Sequence, residues 1–369
     1  MISGDVRRAI ARAIAAEGLG PADPGLRPTG VPGRFSSSVA FAFGERRPDV
    51  AARIAARLTQ TDGIARADIT GPGFLTITVA PEELAALPAR IANAGPACAA
   101  SDALTGSTVA APPAADPLAE ASWEKARAAL AAQLTARLAA AAGATVAIPE
   151  DMERSRASPN PKHFPSTAEA KVRRSAKSPS PLPSQLPPQT AGSGEHPPAQ
   201  EPNPVARAVA YAGADAVRFS LARAVPGRPV QIDRLIIARH LLGNPAYAVR
   251  YAHARAASGV RWAATSQTMP AGGRAVLRPL PPNREELELL DVLSWLPERV
   301  ATAARRGRPD EFARYLEELA SASIAALIRV GDPGTPRAPV ADRLAMARAA
   351  RTGLAAGLGL LGVGAPDRL

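Results

Sequence analysis

The sequence predicts an α+β, mostly α fold, with a small α/β domain at the N-terminus, a Pro-rich linker and a helical bundle at the C-terminus. Three observations carry this. Period-two alternation runs through residues 64–79; residues 151–204 hold 12 prolines among Ser, Gln and charged residues; from Val205 onward apolar residues recur at helical spacing. A chain of 369 residues has room for two or three domains and a sizeable core.

Residues 5–17 set Val6, Ile10 and Ile14 on one face and stop at Gly18 and Gly20, the pattern of a plain surface helix. Residues 32–44 read two ways: Val39, Phe41 and Phe43 alternate as in a strand, whereas Ser36, Ser37 and Ser38 offer helix caps. Val50, Ile54 and Leu58 return to helical spacing. In 64–79, Leu75, Ile77 and Val79 share one face, which turns Phe74, Thr76 and Thr78 toward solvent or a partner. Residues 118–142 form an alanine-rich helix with Trp123, Leu130, Leu134 and Leu138 on one side. The composition of 151–203 cannot bury a core, so a disordered or polyproline-like linker is expected there. Helical periods then cover 205–212, 234–241, 245–261, 284–304, 310–330 and 341–361, a bundle of about six helices.

The formal net charge is +11, and its excess lies in residues 204–369, where 23 arginines face 14 acids. Such a domain suits a polyanion such as RNA, and arginine's planar fork is the better phosphate and base-stacking group. A single cysteine, Cys98, rules out an intramolecular disulfide framework and a cysteine-built zinc site. No apolar run of about 18 residues spans a membrane and no signal core opens the chain, so a cytoplasmic protein without membrane association is expected.

The most informative stretch is Asn244-Pro245-Ala246-Tyr247-Ala248-Val249-Arg250-Tyr251-Ala252-His253-Ala254-Arg255. Asn244 can cap a helix and Pro245 fits its first position. Tyr247, Tyr251, Arg255 and Ser258 then share one face, opposite Val249, Ala252, Ala256 and Val260 as the core stripe. Two aromatics and a guanidinium on one face can stack on splayed-out bases and meet phosphate. The alternative is a packed helix whose tyrosines fill an interdomain gap.

This run is similar to the Asn-Pro-x-Tyr-Tyr-x-x-Tyr-Ala-His-Ala-Arg run of arginyl-tRNA synthetases. Upstream, Gly213-Ala214-Asp215-Ala216-Val217-Arg218-Phe219 resembles the Asp-Ala-Leu-Arg signature of that family's anticodon-binding domain, and the closing Gly357-Leu358-Gly359-Leu360-Leu361-Gly362-Val363-Gly364-Ala365-Pro366-Asp367-Arg368-Leu369 resembles its C-terminus. Gly71-Pro72-Gly73-Phe74-Leu75-Thr76-Ile77 resembles a strand of the family's N-terminal domain that touches the tRNA elbow, and a similar segment of that domain makes 32–44 a helix. The resemblance implies anticodon-type RNA contacts at Tyr247, Arg250, Tyr251, His253 and Arg255 and elbow-type contacts at Phe74 and Thr76. Asp215, Arg218, Asn244 and Pro245 are the motif's structural positions. Threonine at 76 departs from the family's amide, which both donates and accepts. A packed Phe74 is the alternative at that site.

The resemblance also shows what the sequence does not contain. The family's His-x-Gly-His and Lys-Met-Ser-Lys motifs are absent: the histidines stand at 163, 196, 240 and 253, and the last lysine is Lys177. No nucleophile elbow, phosphate loop or metal-ligand cluster replaces them. The expectation is therefore a non-catalytic relative with no catalytic residues, no cofactor and no metal. It divides into an elbow-type domain (1–95), a helical connector (96–150), the linker (151–203) and an anticodon-binding bundle (204–369). Its partner is tRNA or another structured RNA. Two alternatives stand beside it: a module that pairs with another protein such as a synthetase, and a ligase subunit needing a catalytic domain in trans.

Overall fold

The computed structural model describes residues 2–112, 114–148, 203–266, 282–327 and 340–369. The expected linker lies outside the described residues apart from Asn203, as do the last residues of the helix expected at 310–330.

Helix α1 (Ser3–Ala16) begins where the Asp5 carboxylate accepts the Ile2 amide and ends before Gly18, whose φ of 66° suits a residue without Cβ. Strands β1 (Leu26–Pro28), β2 (Arg34–Ser37), β3 (Ile64–Thr70) and β4 (Phe74–Val79) form an antiparallel sheet in the order β1-β2-β4-β3. Leu75, Ile77 and Val79 lie in the core and Phe74, Thr76 and Thr78 are half-buried on the other face, the alternation read from sequence. Residues 32–44 split: the first half is strand β2, and Val39–Arg46 is a 3-10 helix broken at Gly44. The helix expected there holds only for the second half. Ser38, at the cap position, makes no capping bond, whereas Ser37 donates its hydroxyl to the Pro24 carbonyl and accepts the Val39 amide at 3.3 Å. Helices α2 (Arg47–Thr59) and α3 (Pro81–Ala94) complete this part.

The segment expected as a helical connector is a small βαβ unit. Strands β5 (Thr108–Ala110) and β6 (Thr145–Ala147) pair in parallel, joined by α4 (Trp123–Ala141), whose start is capped by Ser122. Leu130, Leu134 and Leu138 bury as their spacing predicts.

The C-terminal part holds, among the described residues, α5 (Pro204–Ala212), α6 (Ala214–Arg223), the single turn α7 (Arg234–Ile237), α8 (Pro245–Ser266), α9 (Arg284–Ser294), α10 (Leu296–Arg306), α11 (Pro309–Leu327) and α12 (Val340–Leu360). Two expected helices differ. The one over 234–241 stops after one turn, and that over 284–304 is two, because Pro297 lacks an N–H and its ring displaces the carbonyl of Leu293. Helix α8 packs against both α11 and α12, with Val249, Ala252 and Ala256 fully buried.

The first and last parts of the chain share one core. Phe35 of β2, 0% exposed, meets Trp295 between α9 and α10 with ring centroids 4.9 Å apart. Helix α3 lies on α12 and α4 on α10. Helix α1 is therefore no surface helix: Ser3, Gly4 and Arg7 are buried, with Gly4 beside Pro297.

Candidate nucleic-acid interface

Asn244 occupies the start of α8, where its carbonyl accepts the Ala248 amide at 2.8 Å. Its side chain does not cap the helix. The amide turns back and donates to the carbonyls of Ile237 (2.7 Å) and Arg239 (2.8 Å), tying the exit of α7 to the entry of α8. Pro245 fills the first helical position, which needs no amide donor.

On the open side of α8, Tyr247 and Tyr251 stack with centroids 5.8 Å apart, and His240 stacks on Tyr247 at 5.2 Å and 12°. The result is a column of three rings, with His240 exposed and both tyrosines half-buried. Arg255 continues the face one turn on, where its Nη2 donates to the Leu327 carbonyl at the end of α11.

The other two residues of the expected RNA face serve the fold. His253 is 2% exposed and shares a 2.8 Å hydrogen bond with the Pro366 carbonyl; since a carbonyl only accepts, Nδ1 carries the proton. Burial holds its pKa below the usual value, against that same carbonyl, so the ring is neutral near pH 7. Arg250 lies 3.7 Å from Asp215, whose carboxylate sits so close to Gly364 that a Cβ there would lie 2.8 Å from Oδ2. Arg218 donates to the Gly362 carbonyl at 3.3 Å, and Arg351 holds Asp367 through two nitrogens. The three motifs thus meet around the C-terminal turn. His253 and Arg250 face this turn, where Asp215 and Arg218 also lie, and not the tyrosine column.

On the N-terminal sheet, Phe74 is half-buried beside Phe41, with centroids 4.6 Å apart, and the Arg47 guanidinium covers Phe41 at 4.7 Å. Thr76 shares a 3.2 Å hydroxyl contact with Thr70. Phe41, Arg47 and His240 were not read as RNA-contact residues from sequence. Phe41 sits in a stretch with two competing periods, and His240 lies beyond a helix break that no spacing rule crosses.

Residues 249–369 match the family described as the DALR anticodon binding domain. Residues 249–369 of this chain are an anticodon-binding domain of the DALR type. The arginine–tRNA ligase of Micrococcus luteus is 39% identical over 171 residues, 44% of this chain and 30% of the ligase. That of Nitratidesulfovibrio vulgaris is 38% identical over 170 residues, with 45% and 30% covered. The chain thus spans less than a third of the length of these relatives. The arginyl-tRNA synthetase of Thermus thermophilus shares the fold at a TM-score of 0.61 and 16% identity, over the full length of both chains. Among the described residues no helix is long and apolar enough to cross a membrane, and no group of three His, Cys, Asp or Glu is placed to hold a metal ion.

Proposed function

We propose that this chain binds tRNA, or an RNA folded like it, through the DALR domain and does not aminoacylate on its own. The DALR domain and the arginine–tRNA ligase relatives support a tRNA-related role. The observation that carries the finer reading is the His240–Tyr247–Tyr251 column, which runs from an exposed histidine into that domain. A flipped base can extend such a column, since base–aromatic stacking contributes about 1–3 kcal/mol per base and tolerates any sequence. Arg255 stands at the column's lower end, and the net +9 of residues 204–369 supplies the salt-dependent attraction to phosphate.

Phe74 forms a second aromatic site with Phe41 and Arg47 on the N-terminal sheet, which fits an RNA contact away from the anticodon. The printed sequence carries neither nucleotide-handling motif of the class, which supports a binding role.

The test is to purify the full chain from its host and sequence the RNA that accompanies it. Enrichment of one or a few tRNAs, lost when both Tyr247 and Tyr251 become alanine, is the expected result. Bulk RNA in proportion to its abundance would overturn the tRNA reading. Arginine-dependent pyrophosphate exchange by the purified chain would overturn the non-catalytic one.

A further inference from the structure

Five large apolar side chains stand more than half exposed around α5, α7 and the turn before α8: Tyr211 (57%), Leu235 (53%), Ile236 (51%), Leu241 (60%) and Leu242 (55%). Ile236 lines one hollow of about 530 Å³ and Leu242 lines a second of the same volume. One is walled by Ile232, Ile236, Ile237 and Phe219; the other by Leu242, Ala248, Ala320 and Ile324. Arg223 and Pro245 line both, so the hollows lie side by side across one ridge. Single exposed apolar residues need no explanation, but five of them within residues 211–242, two of which wall adjoining hollows, mark a candidate binding surface.

Glu317 lines the second hollow but accepts from Arg223 at 2.6 Å, and the unpaired charges around this face are basic. Arg207, four residues before Tyr211 on α5, and Arg234 and Arg239 are exposed and make no ion pair among the described residues. Arg234 lies over the Tyr211 ring at 5.9 Å. Asp233, the only carboxylate in residues 223–244, is occupied with capping the Leu235 amide at 2.8 Å. Of the five, only Tyr211 offers a stacking plane, and the Arg234 guanidinium already lies over it, so the face favours apolar anchors over bases. Two hollows across a ridge fit successive apolar anchors of a helix, and a flat bilayer would not fill them.

We propose that this face docks an amphipathic helix of a partner protein, with two apolar anchors one or two turns apart in the hollows and acidic residues along its flanks against Arg207, Arg234 and Arg239. The site adjoins the ring column at His240, between Arg239 and Leu241, but the proposal does not depend on the tRNA reading.

A photo-crosslinking amino acid placed at Leu235 or Leu242 of the full chain in host cells tests it, with Val31, 44% exposed and on the N-terminal domain, as the reference position. The expected result is a crosslink from both sites, not from Val31, mapped to one segment with apolar residues at helical spacing and acidic flanks. A synthetic peptide of that segment should bind the purified chain, at least tenfold weaker to Ile236→Asp or when its acids become amides. Leu241→Asp serves as a second variant should Ile236→Asp fold poorly. Crosslinks to RNA, to lipid, to a second copy of this chain or to a segment without that pattern would overturn the proposal, as would yields no higher than at Val31.

Discussion

The Arg7 guanidinium grips the Glu298 carboxylate through two hydrogen bonds, Nε to Oε2 at 2.9 Å and Nη2 to Oε1 at 2.7 Å, across the joint between the N-terminal domain and the bundle. Both residues are buried, at 8% and 6% exposure. Asp23 reaches Arg7 at 3.1 Å and Arg305 at 3.4 Å, and Arg305 stands 3.8 Å from Glu298, so the pair is the inner part of a four-residue network. Glu298 and its neighbours raise the Arg7 pKa despite its burial, so the pair stays charged.

Removing one member of a buried pair leaves the other charge uncompensated, at a cost of about 3–5 kcal/mol. Arg7→Met should fall at the lower end, because Arg305 remains near Glu298. Urea unfolding should show the midpoint moving down with the slope unchanged. A midpoint equal to that of the parent would mean the network is only a surface feature.

The same joint predicts how the chain behaves when cut. A protease site engineered into 151–203 should yield two fragments that elute together in size exclusion, held by Phe35–Trp295, by α3 on α12 and by α4 on α10. Adding Phe35→Ala should release them, since truncating a fully buried phenylalanine costs about 3–5 kcal/mol. Free elution of fragments from the parent chain would show that the joint depends on covalent connection.

None of this joint was legible in the sequence. Phe35 and Trp295 lie 260 positions apart, and period alone says that each is apolar, not that they meet. Within elements the reading went further. The alternation of β4 and the core stripes of α4 and α8 followed from local spacing, whereas α1 buries Ser3, Gly4 and Arg7 beyond the stripe its spacing marks. Where one stretch served two elements, as at 32–44 and 284–304, period failed and a proline or a strand partner decided. In the candidate site the tyrosine pair was legible from i, i+4 spacing. The turning of His253 and Arg250 toward the C-terminal turn was not, because Pro366 and Asp215 approach only through the tertiary fold.

Asp291 predicts a pH dependence at the joint. Burial pushes its carboxyl up to about 6, Glu318 adds to the rise, and the Gly33 amide, the Trp295 indole and Arg299 oppose it. Neither Asp291 Oδ1 nor Trp295 Nε1 has a partner at full hydrogen-bond geometry among the described residues. A carboxyl whose folded pKa lies above its unfolded value of 3.8 binds more protons in the native state, so its contribution falls as pH rises from about 4 to 6. Asp291→Asn should therefore melt higher than the parent at pH 7.5, with the gap opening between about pH 4 and 6. A gap independent of pH would show that ionisation of Asp291 is not involved.

The ring column separates binding from folding, because the residues in the family-like run now divide into two groups. Tyr251 stacks on Tyr247 at the surface, whereas His253 is locked under the C-terminal turn. Tyr251→Ala should weaken tRNA binding about tenfold or more at fixed salt, the loss of one stacked base, with little change in melting temperature. His253→Ala should lower the melting temperature by removing a buried ring and orphaning the Pro366 carbonyl, while affinity of the protein that remains folded stays near that of the parent. Arg348, exposed on α12 and away from the column, should when replaced by alanine reduce the slope of log affinity against log salt by about one without altering which tRNA is preferred. Titration of labelled tRNA at several salt concentrations, beside thermal melts of each variant, reads all three. If Tyr251→Ala binds like the parent while the peptide-docking variants change tRNA affinity, the RNA surface lies around α7 and the column is a packing feature of the fold.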